Sequence, residues 1–344
     1  MRVGLCSYPM LFQRSGGLQV QIQSTRRALE AFGVDARLVD SINDDFAEFD
    51  IIHVFCLAHG NYAIVETARQ KAVPVVISPL INPPFSAWQK ILADLCDRVT
   101  GRLTNWTVQT TYGLNRGALQ SADFVVTLGM EERRIVVEGY GVPRQKVAII
   151  PNGISRGFFL AEAGLFVDRF GIANEFILSV ASISEYKNQL GLIAAVMPLD
   201  CDVVLIGPCS ADNEAYLERC KSLGGSRVHY LGPMDHGDPL LAAAYAAAKV
   251  FVLVSQSECA PISALEALAA GTPVVLTRNN SLDLPNGAVL VRTVPPRNNL
   301  EIRRAISQLL QDSPTGSVCS EAVSACSWEN TAKALKKIYL QIKA

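Results

Sequence analysis

Short runs of aliphatic and β-branched residues recur along the whole chain, separated by stretches with helical spacing, and this alternation admits few architectures. Runs at 3–7, 35–39, 51–55, 75–78, 124–128 and 147–150 read as strands in the first half. Runs at 176–183, 203–206, 228–231, 250–254 and 274–276 do so in the second. A stretch such as Val250-Phe251-Val252-Leu253-Val254 has no alternating polar positions, so both of its faces are expected to be buried. Strands of that kind, joined by helices such as the one expected over 18–32, imply parallel sheets covered on both sides. At 344 residues the chain exceeds one ordinary core, and two α/β domains are expected, with the strong turn Pro151-Asn152-Gly153 between them.

Composition narrows the function. Formal net charge is only -1, which leaves no electrostatic footprint for nucleic acid. The nine cysteines show no C-x-x-C pair and no zinc spacing with the four histidines, so they are expected to be reduced and mostly buried. The apolar run after Met1-Arg2 gives way by 13–17 to a polar loop and is too short for a signal peptide, and no stretch is long and apolar enough to span a bilayer. A cytoplasmic protein is expected.

Near the end of the chain Glu258 and Glu266 stand eight positions apart. Glu258 falls in the polar loop 255–261 after the run 250–254. Glu266 falls in a helix expected to begin near Pro261 or Ile262, whose Ile262, Leu265, Leu268 and Ala269 share one apolar stripe. Gly271-Thr272-Pro273 ends that helix. Two glutamates at this spacing also arise with no shared task, so the context decides. In parallel α/β sheets ligands bind beyond the carboxyl ends of strands, where helix N-termini offer N–H groups to an anion such as a pyrophosphate. There a carboxylate in the helix can accept hydrogen bonds from a vicinal diol, while one in the loop sits nearer a reacting sugar.

The stretch Ala244-Tyr245-Ala246-Ala247-Ala248-Lys249, continuing through Ser255-Gln256-Ser257-Glu258-Cys259-Ala260-Pro261 to Leu265-Glu266-Ala267-Leu268-Ala269-Ala270-Gly271-Thr272-Pro273, closely resembles the donor-site segment of retaining GT-B glycosyltransferases, specifically glycosyltransferase family 4. Pro151-Asn152-Gly153 matches that family's interdomain turn. The resemblance implies a GT-B fold of two Rossmann-like domains facing each other across a cleft: an acceptor-binding domain over 1–155, a donor-binding domain over 156–325, and a helix over 326–344 that crosses back to the first. It implies a nucleoside diphosphate sugar as donor substrate, with the residue matching Glu266 on the ribose hydroxyls and the residue matching Glu258 near the sugar. Cys259 and Pro261 stand where the family often has glycine, so the amides at Cys259, Ala260 and Ile262 offered to the donor differ in setting.

Further positions follow from the same match. Lys187, in Glu185-Tyr186-Lys187-Asn188 beyond the run 176–183, can neutralise a leaving diphosphate, although a lysine there also reads as a solvated helix terminus. The family's arginine a few residues earlier is replaced by Ser182. Gly16 and Gly17, in Ser15-Gly16-Gly17-Leu18, match a Gly-Gly loop that lets backbone amides approach donor phosphate or acceptor, and Gly207, after the run 203–206, joins the donor-binding positions. His53 matches a family position but lies inside a strand and reads as core. His59 is a cleft candidate. The family's histidine after the fourth strand is missing from Val75-Val76-Ile77-Ser78-Pro79-Leu80-Ile81-Asn82.

Two rival motifs fail. No Gly-x-Gly-x-x-Gly follows a strand, as a dinucleotide-binding dehydrogenase requires. Asp200-Cys201-Asp202 has the Asp-x-Asp form of metal-dependent transferases, but it precedes its strand, at the edge away from ligands, and reads as a solvated turn. In the segment 83–120, Trp88, Trp106 and Tyr112 mix with Lys90, Arg98, Arg102 and Arg116. That mixture suits either internal aromatic packing or peripheral contact with the inner face of a membrane, with Asp94 and Asp97 diluting the positive charge. The expectation is a retaining, metal-independent glycosyltransferase with Glu258 and Lys187 as catalytic residues and no cofactor, moving a hexose-like sugar to a glycan or lipid-linked acceptor. Its alternatives are a catalytically weak sugar-nucleotide-binding or partner-subunit relative and a sugar-nucleotide epimerase.

Overall fold

The computed structural model describes residues 1–13, 16–81, 87–104, 108–172, 174–284 and 287–343. The chain divides into two compact units, 1–14 with 21–151 and 329–344, and 15–20 with 152–328. The first carries a six-stranded sheet of β1 (Arg2–Cys6), β2 (Asp35–Leu38), β3 (Ile51–Phe55), β4 (Val75–Ser78), β5 (Phe124–Thr127) and β6 (Val147–Ile149). Its order is β2-β1-β3-β4-β5-β6, and every pairing is parallel. All residues of β3 and β4 are buried, as the unbroken apolar runs require of a sheet covered on both faces.

His53 belongs to that core. Its Nδ1 lies 2.6 Å from the Tyr339 hydroxyl, on the last helix Trp328–Lys343, and its Nε2 lies 2.9 Å from Ser78 Oγ. Burial pushes its pKa down to about 3, so the ring is neutral. Glu132 is also wholly buried; its carboxylate accepts the amides of Ile81 and Leu128 at 2.9 and 2.7 Å, tying together the chain beyond β4 and β5.

The second unit repeats the plan with β7 (Phe176–Val180), β8 (Asp202–Ile206), β9 (Val228–Tyr230), β10 (Val250–Leu253), β11 (Val274–Thr277) and β12 (Val291–Val294), in the order β12-β11-β10-β7-β8-β9. All pairings are again parallel. Successive residues feed opposite faces: Leu178, Phe251, Leu253, Val274 and Leu276 enter one core cluster, while Ile177, Val203, Leu205, Val250, Val252 and Val275 enter the other.

Three sequence expectations change. The run 176–183 ends as a strand at Val180, where the chain turns along the loop after β8: Ala181 N donates to Ile206 O and Ile183 N to Pro208 O. β12 went unseen because Val291-Arg292-Thr293-Val294 carries the polar residues of an edge strand. Asp200-Cys201-Asp202 does lie at the amino end of β8, but only Asp200 is exposed. Cys201 and Asp202 are buried, and Asp202 pairs with His229 Nε2 at 2.8 Å, so the segment is not a solvated turn.

Strand order places the ligand edge. In the second unit the chain builds outward from β7 through β8 to β9 and then returns to the other side of β7 with β10, so the crevice lies beyond the carboxyl ends of β7 and β10. In the first unit the same reversal falls between β1 and β3, where the Tyr8 and His59 rings meet at a tilt of 50° with centroids 4.5 Å apart.

Candidate functional site

The loops beyond β7 and β10 are joined at three points. Gln256 N donates to Tyr186 O at 2.9 Å, Tyr186 Oη to Ser257 O at 2.8 Å, and Lys187 Nζ meets Glu258 Oε1 at 2.6 Å. Lys187 and Glu258 are 22% and 12% exposed, so the pair is largely withdrawn from water but still open on one side. The helix expected at Lys187 begins two residues later, as Gln189–Val196, because Asn188 takes a left-handed φ of 57°. Asn188 Nδ2 reaches the carbonyls of Val254 and Pro296. Gln189, almost wholly buried, donates to Ser182 O and accepts from Ser184 N, which fixes the loop carrying Lys187. Ser182, at the position of the family's arginine, thus serves through its carbonyl.

The loop carrying Glu258 is held from the other side by the chain after β11. Glu258 N donates to Asn279 O at 2.8 Å and Ser281 N to Cys259 O at 2.6 Å. Ala260 is buried, and its carbonyl accepts Asn152 Nδ2 at 3.1 Å. The helix Ile262–Ala269 follows at once, with Pro261 in the capping position, where a missing N–H costs no helical bond. Its apolar stripe is buried as expected, and so are Ala264 and Ala267, so Glu266 sits in a helix packed all round.

Glu266 is 3% exposed, yet its carboxylate is not stranded. His236 Nε2 lies 2.6 Å from Oε1, and Tyr245 Oη donates to Oε2 at 3.1 Å. Complete burial first, and the neighbouring carboxylate second, hold the Tyr245 hydroxyl far above its ordinary pKa, so it stays a donor. Phe158 lies against both, with ring centroids 5.5 Å from His236 and 5.7 Å from Tyr245. His236 escaped sequence reading. The only available signal was its place in the polar stretch Met234-Asp235-His236-Gly237-Asp238 after β9, with Asp238 capping the helix Pro239–Ala247.

The expected residues therefore fall into distinct groups. Lys187, Glu258, Cys259, Ala260 and Ile262 lie in the loops and at the helix start beyond the carboxyl ends of β7 and β10, and Glu266 lies one turn into that helix, held by His236. Gly207 has a structural reason of its own: its φ is 145° and a Cβ there would overlap the Ala181 carbonyl. Gly16 and Gly17 differ, since a Cβ at either would meet nothing within 4 Å and neither has a left-handed φ. Ser15 lies outside the described residues, as does Trp106. No group of three or more histidine, cysteine or acidic side chains among the described residues is arranged to hold a metal ion.

Comparison with known proteins follows the same division. Residues 174–312 match the family model described as glycosyl transferases group 1, and residues 46–153 match the glycosyl transferase 4-like domain. The chain is 28% identical over 246 residues to D-inositol 3-phosphate glycosyltransferase of Corynebacterium diphtheriae, covering 64% of this chain and 56% of that protein. It is 27% identical over 180 residues to mannosylfructose-phosphate synthase of Agrobacterium fabrum, covering 47% of this chain and 39% of that protein. The chain thus spans less than two thirds of the length of these curated relatives. Among solved structures, Anabaena HepE in complex with UDP superposes with a TM-score of 0.74 at 15% identity, over 99% of this chain and 100% of that one. Sucrose-phosphate synthase from Thermosynechococcus elongatus gives 0.74 at 18% identity, over 99% of both chains.

Proposed function

The chain belongs to the glycosyl transferases group 1 family and has the GT-B fold, and from that premise we propose that it is a retaining, metal-independent glycosyltransferase using a nucleoside diphosphate sugar. The observation that carries this reading is the joining of Lys187 and Glu258 across the topological switch point, with the buried carboxylate of Glu266 in the helix behind them. Its roles follow from charge. Glu266 accepts the ribose hydroxyls, with His236 and Tyr245 fixing the carboxylate's direction. Lys187 and the first amides of the helix Ile262–Ala269 take the diphosphate. Glu258 holds the Lys187 ammonium in the crevice and faces the sugar, near Cys259 and Ala260.

As the glycosidic bond breaks, negative charge grows on the diphosphate, and a fixed cation with aligned amides stabilises it without reorganisation. The leaving diphosphate oxygen takes the acceptor's proton on the face it departs from, so the anomeric configuration is kept. The backbone at Gly16 and Gly17, where neither packing nor φ demands glycine, is open to close approach by donor or acceptor. A hexose-like sugar is the proposed cargo. The relatives' names speak of phosphorylated inositol and phosphorylated sugars, so sugar phosphates join glycans and lipid-linked sugars as acceptor classes.

Thermal-shift screening against UDP, GDP, ADP and dTDP, followed by transfer and hydrolysis assays on the matching nucleotide sugars, tests the proposal. A ligand at 100 times its dissociation constant adds about 2.7 kcal/mol to stability. Transfer to at least one acceptor class is expected. Nucleotide binding without turnover would favour a catalytically weak binding relative, and interconversion of donors without transfer would favour an epimerase.

A further inference from the structure

The helix Ala87–Leu103 in the first unit is amphipathic in the reverse of the usual sense. Trp88 is 81% exposed, Ile91 59%, Leu92 62%, Leu95 57%, Val99 52% and Leu103 81%. At 3.6 residues per turn these six positions fall on one arc about 120° wide that runs the full length of the helix. The opposite arc, turned toward the protein, holds Asp97 and Gly101, both buried, with Ala93 packed against the core of the unit. An exposed apolar stripe of this extent marks an interaction surface, since water-facing helices place their charges outward.

Charge on the helix is sorted in the same way. Asp97 is buried and accepts the Thr110 amide and, at 2.8 Å, the Thr110 hydroxyl, while Asp94 pairs with Arg116 at 3.1 Å. Asp97 is therefore withdrawn from the outward face, while Asp94, 37% exposed, stays partly open to water with its charge offset by Arg116. Arg98 and Arg102 are exposed; Arg98 borders the apolar arc on the Ile91 side and Arg102 lies just inside that margin. Tyr112 takes no part: it is buried, stacked on Tyr140, with its hydroxyl on the Gly139 carbonyl.

We propose that this face docks on an anionic lipid bilayer, the helix lying in the interface with Trp88, Leu92, Leu95, Val99 and Leu103 entering the acyl boundary and Arg98 and Arg102 on the headgroups. A row of large apolar side chains with arginines along one side, one aspartate buried and the other neutralised by Arg116, complements a negatively charged apolar slab. A second copy of the chain fits less well, because pairing this face with itself brings Arg98 and Arg102 of both copies together while the one partly exposed acid of the helix, Asp94, is already paired with Arg116. No described helix is long and apolar enough to cross a membrane, so the contact lies on the surface. This inference does not depend on the transfer reaction.

Flotation with vesicles of zwitterionic lipid, with and without about one third anionic lipid, tests it on the full chain. Binding is expected to the anionic vesicles and to weaken with salt. Arg98→Gln and Arg102→Gln are each expected to reduce partition about fivefold, the worth of one interfacial charge. Leu95→Glu, on the exposed face, is expected to abolish partition with an unchanged circular dichroism spectrum and melting temperature. The tryptophan emission of the wild type should shift to the blue on binding, and Trp88→Phe should remove that shift. Absence of partition, equal partition to neutral and anionic vesicles, or a wild-type dimer in solution that Leu95→Glu dissociates without any vesicle affinity would each overturn the proposal.

Discussion

Replacing Lys187 by methionine keeps most of the apolar stem of the side chain and removes its charge. Two consequences follow from the 2.6 Å ion pair with Glu258, and they can be separated. If Lys187 Nζ contacts the donor diphosphate, the lost charge-assisted bond is worth about 1.5 to 3 kcal/mol, or roughly ten- to hundredfold in affinity for a nucleoside diphosphate. The variant also removes the Lys187 ion pair from the Glu258 carboxylate, which is 12% exposed. That costs about 1 to 3 kcal/mol of stability and raises the net negative charge beside the phosphates. Glu258→Gln in the same chain removes that anion. Titration calorimetry of the wild type, both single variants and the double variant, each with a nucleoside diphosphate and with the bare nucleoside, resolves the terms. Direct contact predicts that Lys187→Met weakens the diphosphate and not the nucleoside, and that the double variant recovers stability but not affinity. Affinity within twofold of wild type in Lys187→Met, or full recovery in the double variant, refutes direct contact.

Glu266→Gln should keep the fold and lose roughly ten- to hundredfold in donor handling, measured as kcat/KM and nucleotide Kd, because charge-assisted bonds become neutral ones. His236→Ala should lower nucleotide affinity in the same direction by a smaller factor, since Tyr245 still holds one oxygen of Glu266; unchanged affinity would make His236 a bystander. Acidification should destabilise the first unit through His53. Its folded pKa of about 3 lies below the ordinary 6.5, so the unfolded chain takes up the proton first, and stability is lost as pH falls from 6.5 toward 3, by about 2 kcal/mol at pH 5. Urea unfolding at pH 7 and pH 5 measures this, and His53→Gln should flatten the dependence on pH. Transfer should survive excess EDTA; complete inhibition restored by magnesium or manganese would contradict a metal-independent mechanism. Proton NMR of the product should show the donor's anomeric configuration, and an inverted product would reopen the search for a base, beginning with His59.

Much of the fold was legible because a parallel sheet buried on both faces leaves unbroken apolar runs, and β3, β4, β10 and β11 stand within one or two residues of where such runs lie. Ends were less legible, since hydrogen bonding and not hydropathy decides them. Ile183 is as apolar as Ile177, yet it bonds to Pro208 in a loop. β12 was hidden by its polar positions. For the site, the pairing of Lys187 with Glu258 could not be read from residues 71 apart in sequence; it depends on β7 and β10 being neighbours in the sheet. His236 was hidden for the same reason, because a histidine in a polar loop carries no mark of the buried carboxylate it will meet. The reversed polarity of the helix Ala87–Leu103 was equally out of reach, since an amphipathic pattern fixes which residues share a face but not which face turns inward.

A crystal structure of the protein with a bound nucleoside diphosphate tests the central claim most directly. The ribose hydroxyls are predicted on the Glu266 carboxylate and the diphosphate on Lys187 Nζ and the first amides of the helix Ile262–Ala269, beyond the carboxyl ends of β7 and β10. A nucleotide bound at the β1 and β3 edge of the first unit, or one with its ribose turned away from Glu266, would contradict it.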